Sequence, residues 1–196
     1  MHHDLSARLS IFAVAGHLAL AGCASLAPGA VSRLSGLDPL LADPSVLSLA
    51  AVMPVPTKLR DGDVIMTISV SAPAPLGAIE ETFLFDVTEA GDTPGIIVNA
   101  GTERLHKLVL TGEDAGRMRA VQAKIKAAKA AGIHGQGKFS VGIKGGCLDG
   151  RLGDGPLIAA VFMRTQTAED YFPLLKSVDL RKMAGEEAIA RLPACG

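Results

Sequence analysis

The sequence predicts an α+β domain: an antiparallel β-sheet with a long helix and a C-terminal helix packed on one face. Three observations lead there. Several short segments alternate apolar and polar side chains with the period of a strand. A segment between Thr111 and Gly132 carries capping signals at both ends and one apolar stripe. The strand segments follow one another in series around that helix, with no internal repeat.

Taken in order, 46–53 is a weaker strand candidate. In 63–71, Val64, Met66, Ile68 and Val70 alternate with Thr67, Ser69 and Ser71, interrupted by Ile65. In 79–87, Phe83, Phe85 and Val87 alternate with Thr82, Leu84 and Asp86. Segment 105–110 is again weaker. Thr111 can then cap a helix whose first turn holds Glu113 and Asp114 and which Gly132 ends. Met118, Val121, Ile125 and Ala128 fall on one stripe of it. Phe139, Val141 and Ile143 alternate with Ser140, Gly142 and Lys144, which predicts another strand. The run 157–163 is apolar throughout, as expected of a strand covered on both faces. Segment 174–178 is a weaker candidate, and a final helix is expected over 180–191, capped by Asp179 and stopped before Pro193.

With 196 residues, the chain has room for one ordinary domain and a leader. Hydrophobic residues make up 48% and charged residues 20%, enough to build a packed core. The net charge of −1 gives no field that would draw nucleic acid. There is no Trp, one Tyr (Tyr171) and six Phe, too few rings for a platform that stacks bases. We therefore expect no nucleic-acid partner, and no motif calls for a cofactor or metal.

The N-terminus carries an address. Residues 11–20 read IFAVAGHLAL, preceded by Arg8. A helix of that length rises about 15 Å, half of a bilayer core, so a cleaved signal peptide fits better than a permanent span. The next residues, Leu20-Ala21-Gly22-Cys23, resemble the lipobox of bacterial lipoproteins. The resemblance covers the leader alone. It implies cleavage before Cys23, a diacylglyceryl group on its thiol and often a further acyl chain on its amine. Two or three such chains hold a protein on a membrane almost permanently. Ala24 stands where an inner-membrane retention signal would carry Asp, which directs the expectation to the periplasmic face of an outer membrane. The organisation expected is then 1–22 signal peptide, 23–44 lipidated N-terminus and Pro/Gly-containing tether, and 45–196 one globular domain. Within the tether, Leu34, Leu37 and Leu41 are spaced to form a short amphipathic turn.

Once Cys23 is lipidated, Cys147 and Cys195 remain. An even pair in an oxidising compartment reads as a disulfide, closing a loop of about 49 residues for about 4 kcal/mol in the chain-entropy treatment. A metal pair or a reactive thiol are the competing readings. A metal would need two more soft ligands, and the mature chain offers only His106 and His134.

Motifs that carry chemistry are scarce. In the Gly-rich stretch 145–155, Asp149 and Asp154 could hold a cation, or the glycines an anion. Its spacing matches neither an EF-hand nor a Walker loop, and its place between two strands favours a turn. Gly132, Gly135 and Gly137 follow a helix instead of preceding one, which disfavours dinucleotide binding. Neither a Gly-x-Ser-x-Gly elbow nor a His-Glu-x-x-His is present. Glu80-Glu81 and Glu186-Glu187 are adjacent pairs that diverge on strand or helix.

Charge is unevenly spread along the chain. Eight acidic residues and no Lys or Arg occupy 61–103, whereas 104–144 holds nine Lys and Arg against Glu113 and Asp114. Arg117, Arg119, Lys124, Lys126 and Lys129 lie on the long helix, Arg117 and Lys124 beside the apolar stripe and Arg119 and Lys126 nearly opposite it. These five are the candidates for contact with an anionic partner, a lipid surface or an acidic protein. Alternatively they solvate the helix and pair with the acidic half of the same domain. The leading expectation is a membrane-anchored envelope lipoprotein that acts as a non-enzymatic binding or accessory protein. The alternatives are a membrane-proximal hydrolase, which needs His106 or His134 beside Ser, Asp or Glu, and a small apolar-ligand binding protein, which needs a pocket between sheet and helix.

Overall fold

The structure, a computed structural model, describes residues 42–196. The expected signal peptide, Cys23 and the expected tether as far as residue 41 lie outside the described residues. The strands are β1 (Ser48–Pro54), β2 (Thr57–Lys58), β3 (Val64–Ser71), β4 (Ala78–Ala90), β5 (Glu103–Leu110), β6 (Gln136–Ile143), β7 (Cys147–Leu148), β8 (Ile158–Arg164) and β9 (Phe172–Asp179). The helices are α1 (Gly112–Ala130), α2 (Leu180–Ala184) and α3 (Glu186–Ala190).

Seven strands form one sheet in the order β6-β3-β4-β5-β1-β8-β9. Every neighbouring pair in it is antiparallel, and the sheet curls into a half-barrel. β2 and β7 make a separate two-residue ladder. The α+β class is as expected: mainly antiparallel sheet, with a few helices.

Alternation works as the sequence predicts in β3, where Val64, Met66, Ile68 and Val70 are buried and the residues between them are not. Opposite them on β4, Phe83 and Phe85 are fully buried. The main core joins these residues to Leu49, Leu108, Leu110 and Met163 from the other strands and to Met118 and Val121 from α1. The middle of the sheet is covered on both faces. In β1, Leu49, Ala51 and Met53 enter the main core, while Ala50 and Val52 join a second cluster with Ile96, Leu105 and Tyr171. β8 behaves likewise, with Ala159 and Met163 on one side and Ala160 and Phe162 on the other.

The long helix begins at its expected cap: the Thr111 hydroxyl accepts from the Asp114 N–H at 3.0 Å. Gly132, at φ +77°, turns the chain away after the last turn. Asp114 does more than favour the helix N-terminus. Its carboxylate accepts from the Leu84 backbone N–H at 2.6 Å and from Arg117 at 2.6 Å, clipping the helix start to β4.

One expectation fails. The helix over 180–191 is two short helices, α2 and α3, because Gly185 takes φ +86°, a conformation that interrupts a helix and that glycine adopts without strain. Asp179 does cap the first of them, accepting from the Arg181 N–H at 3.1 Å.

Candidate functional site

A groove of about 410 Å³ opens between α1 and the sheet edge formed by β3 and β6. The pairing register explains its shape. Directly opposed residues of an antiparallel pair share a face, so Ile68 faces Phe139 and Val70 faces Gly137. Because Gly137 has no side chain, the space beside Val70 stays open; a Cβ there would meet nothing within 4 Å. Val121 and Ile125 of α1 close the other wall. The loop from α1 to β6 forms one end, held tight by Gly135, where a Cβ would fall 2.7 Å from both the Ala72 Cβ and the Ser71 carbonyl.

Polar groups on the lining are few: Gln122, Lys129, His134 and Lys138. No carboxylate is among them. Gln122 is buried, and its amide donates to the Ala42 carbonyl at 2.8 Å, so the first described residue of the chain lies against the groove wall.

The five helix cations do not act as one surface. Arg117 donates to Asp114 at 2.6 Å and to Glu81 at 2.5 Å, and stacks 5.3 Å from the Phe83 ring centre. These two carboxylates hold its guanidinium even more firmly protonated than usual. Arg119 reaches Asp43 at 3.5 Å. Lys124 and Lys126 are exposed, and Lys129 lines the groove. Pairing of the basic helix with the acidic half is thus realised through Arg117 and Glu81.

The two histidines separate. His106, on β5, is 2% exposed. Its Nε2 accepts a long hydrogen bond from the Leu59 N–H at 3.5 Å, and its Nδ1 has no partner. Burial pushes its pKa below the ordinary 6.5; nearby Glu89 opposes that, while Arg104 and Lys58 reinforce it. Beside it, Asp149 bridges Lys58 at 3.0 Å and Arg104 at 2.9 Å, with Glu89 further from both. Lys58 and Arg104 hold the Asp149 carboxyl below its usual range. Asp149 therefore belongs to an ion-pair network, and no cluster able to hold a metal exists among the described residues. His134 lies in the exposed loop at the groove end. Among the described residues, neither histidine hydrogen-bonds a Ser, Asp or Glu side chain.

Cys147 and Cys195 form a disulfide, with Cα atoms 5.0 Å apart. Around it, the Cys195 N–H donates to the Leu148 carbonyl at 2.9 Å and the Leu148 N–H to the Pro193 carbonyl at 2.8 Å. The Gly-rich stretch thus holds β7 and an anchor for the C-terminus.

Sequence reasoning missed the groove residues Gly137, Phe139 and Ile125 as a set. The available signal was Gly135 and Gly137 entering a strand, which displaced its expected start from 136 to 139. Among the described residues no helix is long and apolar enough to cross a membrane. Comparison with protein-family profiles, with curated proteins and with solved structures finds no significant match to this chain.

Proposed function

We propose that the chain is a lipid-anchored protein of the bacterial envelope, held by Cys23 at the periplasmic face of an outer membrane, whose domain binds an apolar ligand between helix and sheet. In this reading α1 and the α2–α3 pair lie on the same, concave face of the sheet. One observation carries the ligand reading: the groove of about 410 Å³ walled by Ile68, Val70, Phe139, Val121 and Ile125, within the size range of small-molecule sites and apolar as they are. The anchor rests on Leu20-Ala21-Gly22-Cys23 after an apolar run. The hydrolase reading has no support from the histidines, since neither is paired with an acid or a hydroxyl among the described residues.

Two measurements test the proposal. Diphenylhexatriene, a neutral apolar dye, should fluoresce on mixing with the wild-type exported chain and stay dark with Gly137→Phe, while both chains unfold at similar temperatures. Equal fluorescence from both would remove the ligand reading. Mass spectrometry of the N-terminal peptide should find a diacylated Cys23, and Cys23→Ala should accumulate as uncut precursor. A free N-terminus elsewhere would remove the anchor.

A further inference from the structure

We infer that the chain's own residues 34–41 cover the groove, and that an apolar ligand enters by displacing them. This rests on the reading of the groove as an apolar-ligand site and adds what controls access to it.

Position comes first. Pro44 is fully buried and Asp43 accepts from the Ser45 N–H at 2.9 Å, so the point where the chain enters the domain is fixed. Asp43 reaches Arg119 at 3.5 Å, and one residue earlier the Ala42 carbonyl accepts from Gln122 at 2.8 Å. Moving backward in sequence therefore carries the contact toward the C-terminal end of α1. The groove runs the same way, its helix wall passing from Val121 and Gln122 through Ile125 to Lys129. Over that stretch α1 rises about 12 Å. The eight residues before Ala42 span about 12 Å as a helix and about 26 Å extended, so either form reaches along the groove.

Composition comes second. Residues 34–41 read LSGLDPLL: four leucines in eight residues, with Asp38 the single charge. A segment that served only as a spacer would be polar, because leucines held in water are unfavourable. Here they adjoin a wall made of Ile68, Val70, Val121, Ile125 and Phe139, and contact removes both surfaces from water. Joined directly to Ala42, the segment meets the groove at the high effective concentration of an intramolecular partner. A ligand must compete with it, and its apparent affinity falls by the fraction of time the groove stands open.

The test compares diphenylhexatriene binding by the exported chain with that of a variant carrying Leu34→Ser, Leu37→Ser, Leu40→Ser and Leu41→Ser, with Gly137→Phe as the blank. A groove covered about nine-tenths of the time predicts about ten-fold tighter binding by the leucine variant. In a second arm, benzoylphenylalanine replaces Leu37. Illumination should link it to α1 or β6 of the same chain, and saturating dye should suppress the link. Unchanged affinity in the leucine variant, with dye still lost in Gly137→Phe, would overturn the cover and leave the ligand site standing. Weaker binding by the leucine variant would overturn it too, because the leucines would then hold the ligand instead of excluding it. A link between two chains would give the groove to a second copy and overturn the inference. Dye bound by neither the wild type nor the leucine variant would remove the ligand reading, and displacement with it, even where the link to α1 forms.

Discussion

The middle of the sheet and its β3–β6 edge are built from similar residues to opposite ends. At β1, side chains enter a core on either face, and Leu49, Ala50 and Ala51 are nearly inaccessible. At β6, the same strand geometry leaves Phe139 and Val141 half-buried, with glycine facing Val70. The difference is made by partners. β1 has a strand on each side, and both its faces are covered. Among the described residues β6 pairs only with β3 and ends the sheet. Tight packing and open space thereby fall in different parts of one sheet, and the proposed ligand site uses the open part.

Phenylalanine provides the sharpest contrast. Phe83 is 0% exposed in the main core, and Phe83→Ala should cost about 3–5 kcal/mol, read as a lower midpoint in urea unfolding with an unchanged slope. Phe139→Ala, at the groove, should cost under about 1.5 kcal/mol, because its ring is already partly hydrated, yet should weaken apolar-dye binding several-fold. Equal losses of stability would mean that the edge is packed as tightly as the centre.

Next in size is the disulfide. Replacing Cys147 and Cys195 with Ser should lower stability by about 2–5 kcal/mol, seen as a drop in melting temperature, with dye binding retained at the groove, whose lining includes neither cysteine. Loss of dye binding in a still-folded variant would show that the two regions are coupled.

The smallest effect belongs to His106. Its pKa is lowered in the fold, so between that value and the ordinary 6.5 the unfolded chain holds more proton than the native one. The stability it contributes is complete above pH 6.5 and declines as the pH falls below it. His106→Gln should flatten that part of a stability–pH curve measured by urea unfolding, and an unaltered curve would show that the imidazole titrates alike in the folded and unfolded chain. Because Asp149 is held below its usual range, its contribution persists until the pH falls toward 3.8 and below.

What could be read from the chain was local. The Thr111 cap, Gly132 and the alternation of Val64, Met66, Ile68 and Val70 depend on neighbours a few residues away, and they appear as expected. β1 was only a weak strand because burial of both faces erases alternation. β2 and β7, two residues each, are too short for any period. The helix over 180–191 failed at Gly185, whose positive φ is set by how the chain packs and not by a pattern. The groove escaped notice for a related reason: it exists only where Gly137 meets Val70 across the β3–β6 pair, beneath a helix. The ion pair from Arg117 to Glu81 spans 36 residues, so polarised charge could suggest pairing but not the partner.

The place of β1 in the sheet also sets a timetable. Ser48 sits between Val109 and Arg164, so the hub of the sheet is the first of the described strands to be made, while one of its two flanking strands, β8, is made near the end. Until β8 has been made, β1 has a bare edge, and the Cys147–Cys195 tie waits for the penultimate residue. Such distant pairings carry a loop-closure cost that slows folding, and they cannot begin until the late strands have been made. A nascent chain of this design emerges unable to close its own sheet, and the open edge of β1 is exposed to whatever meets the chain first.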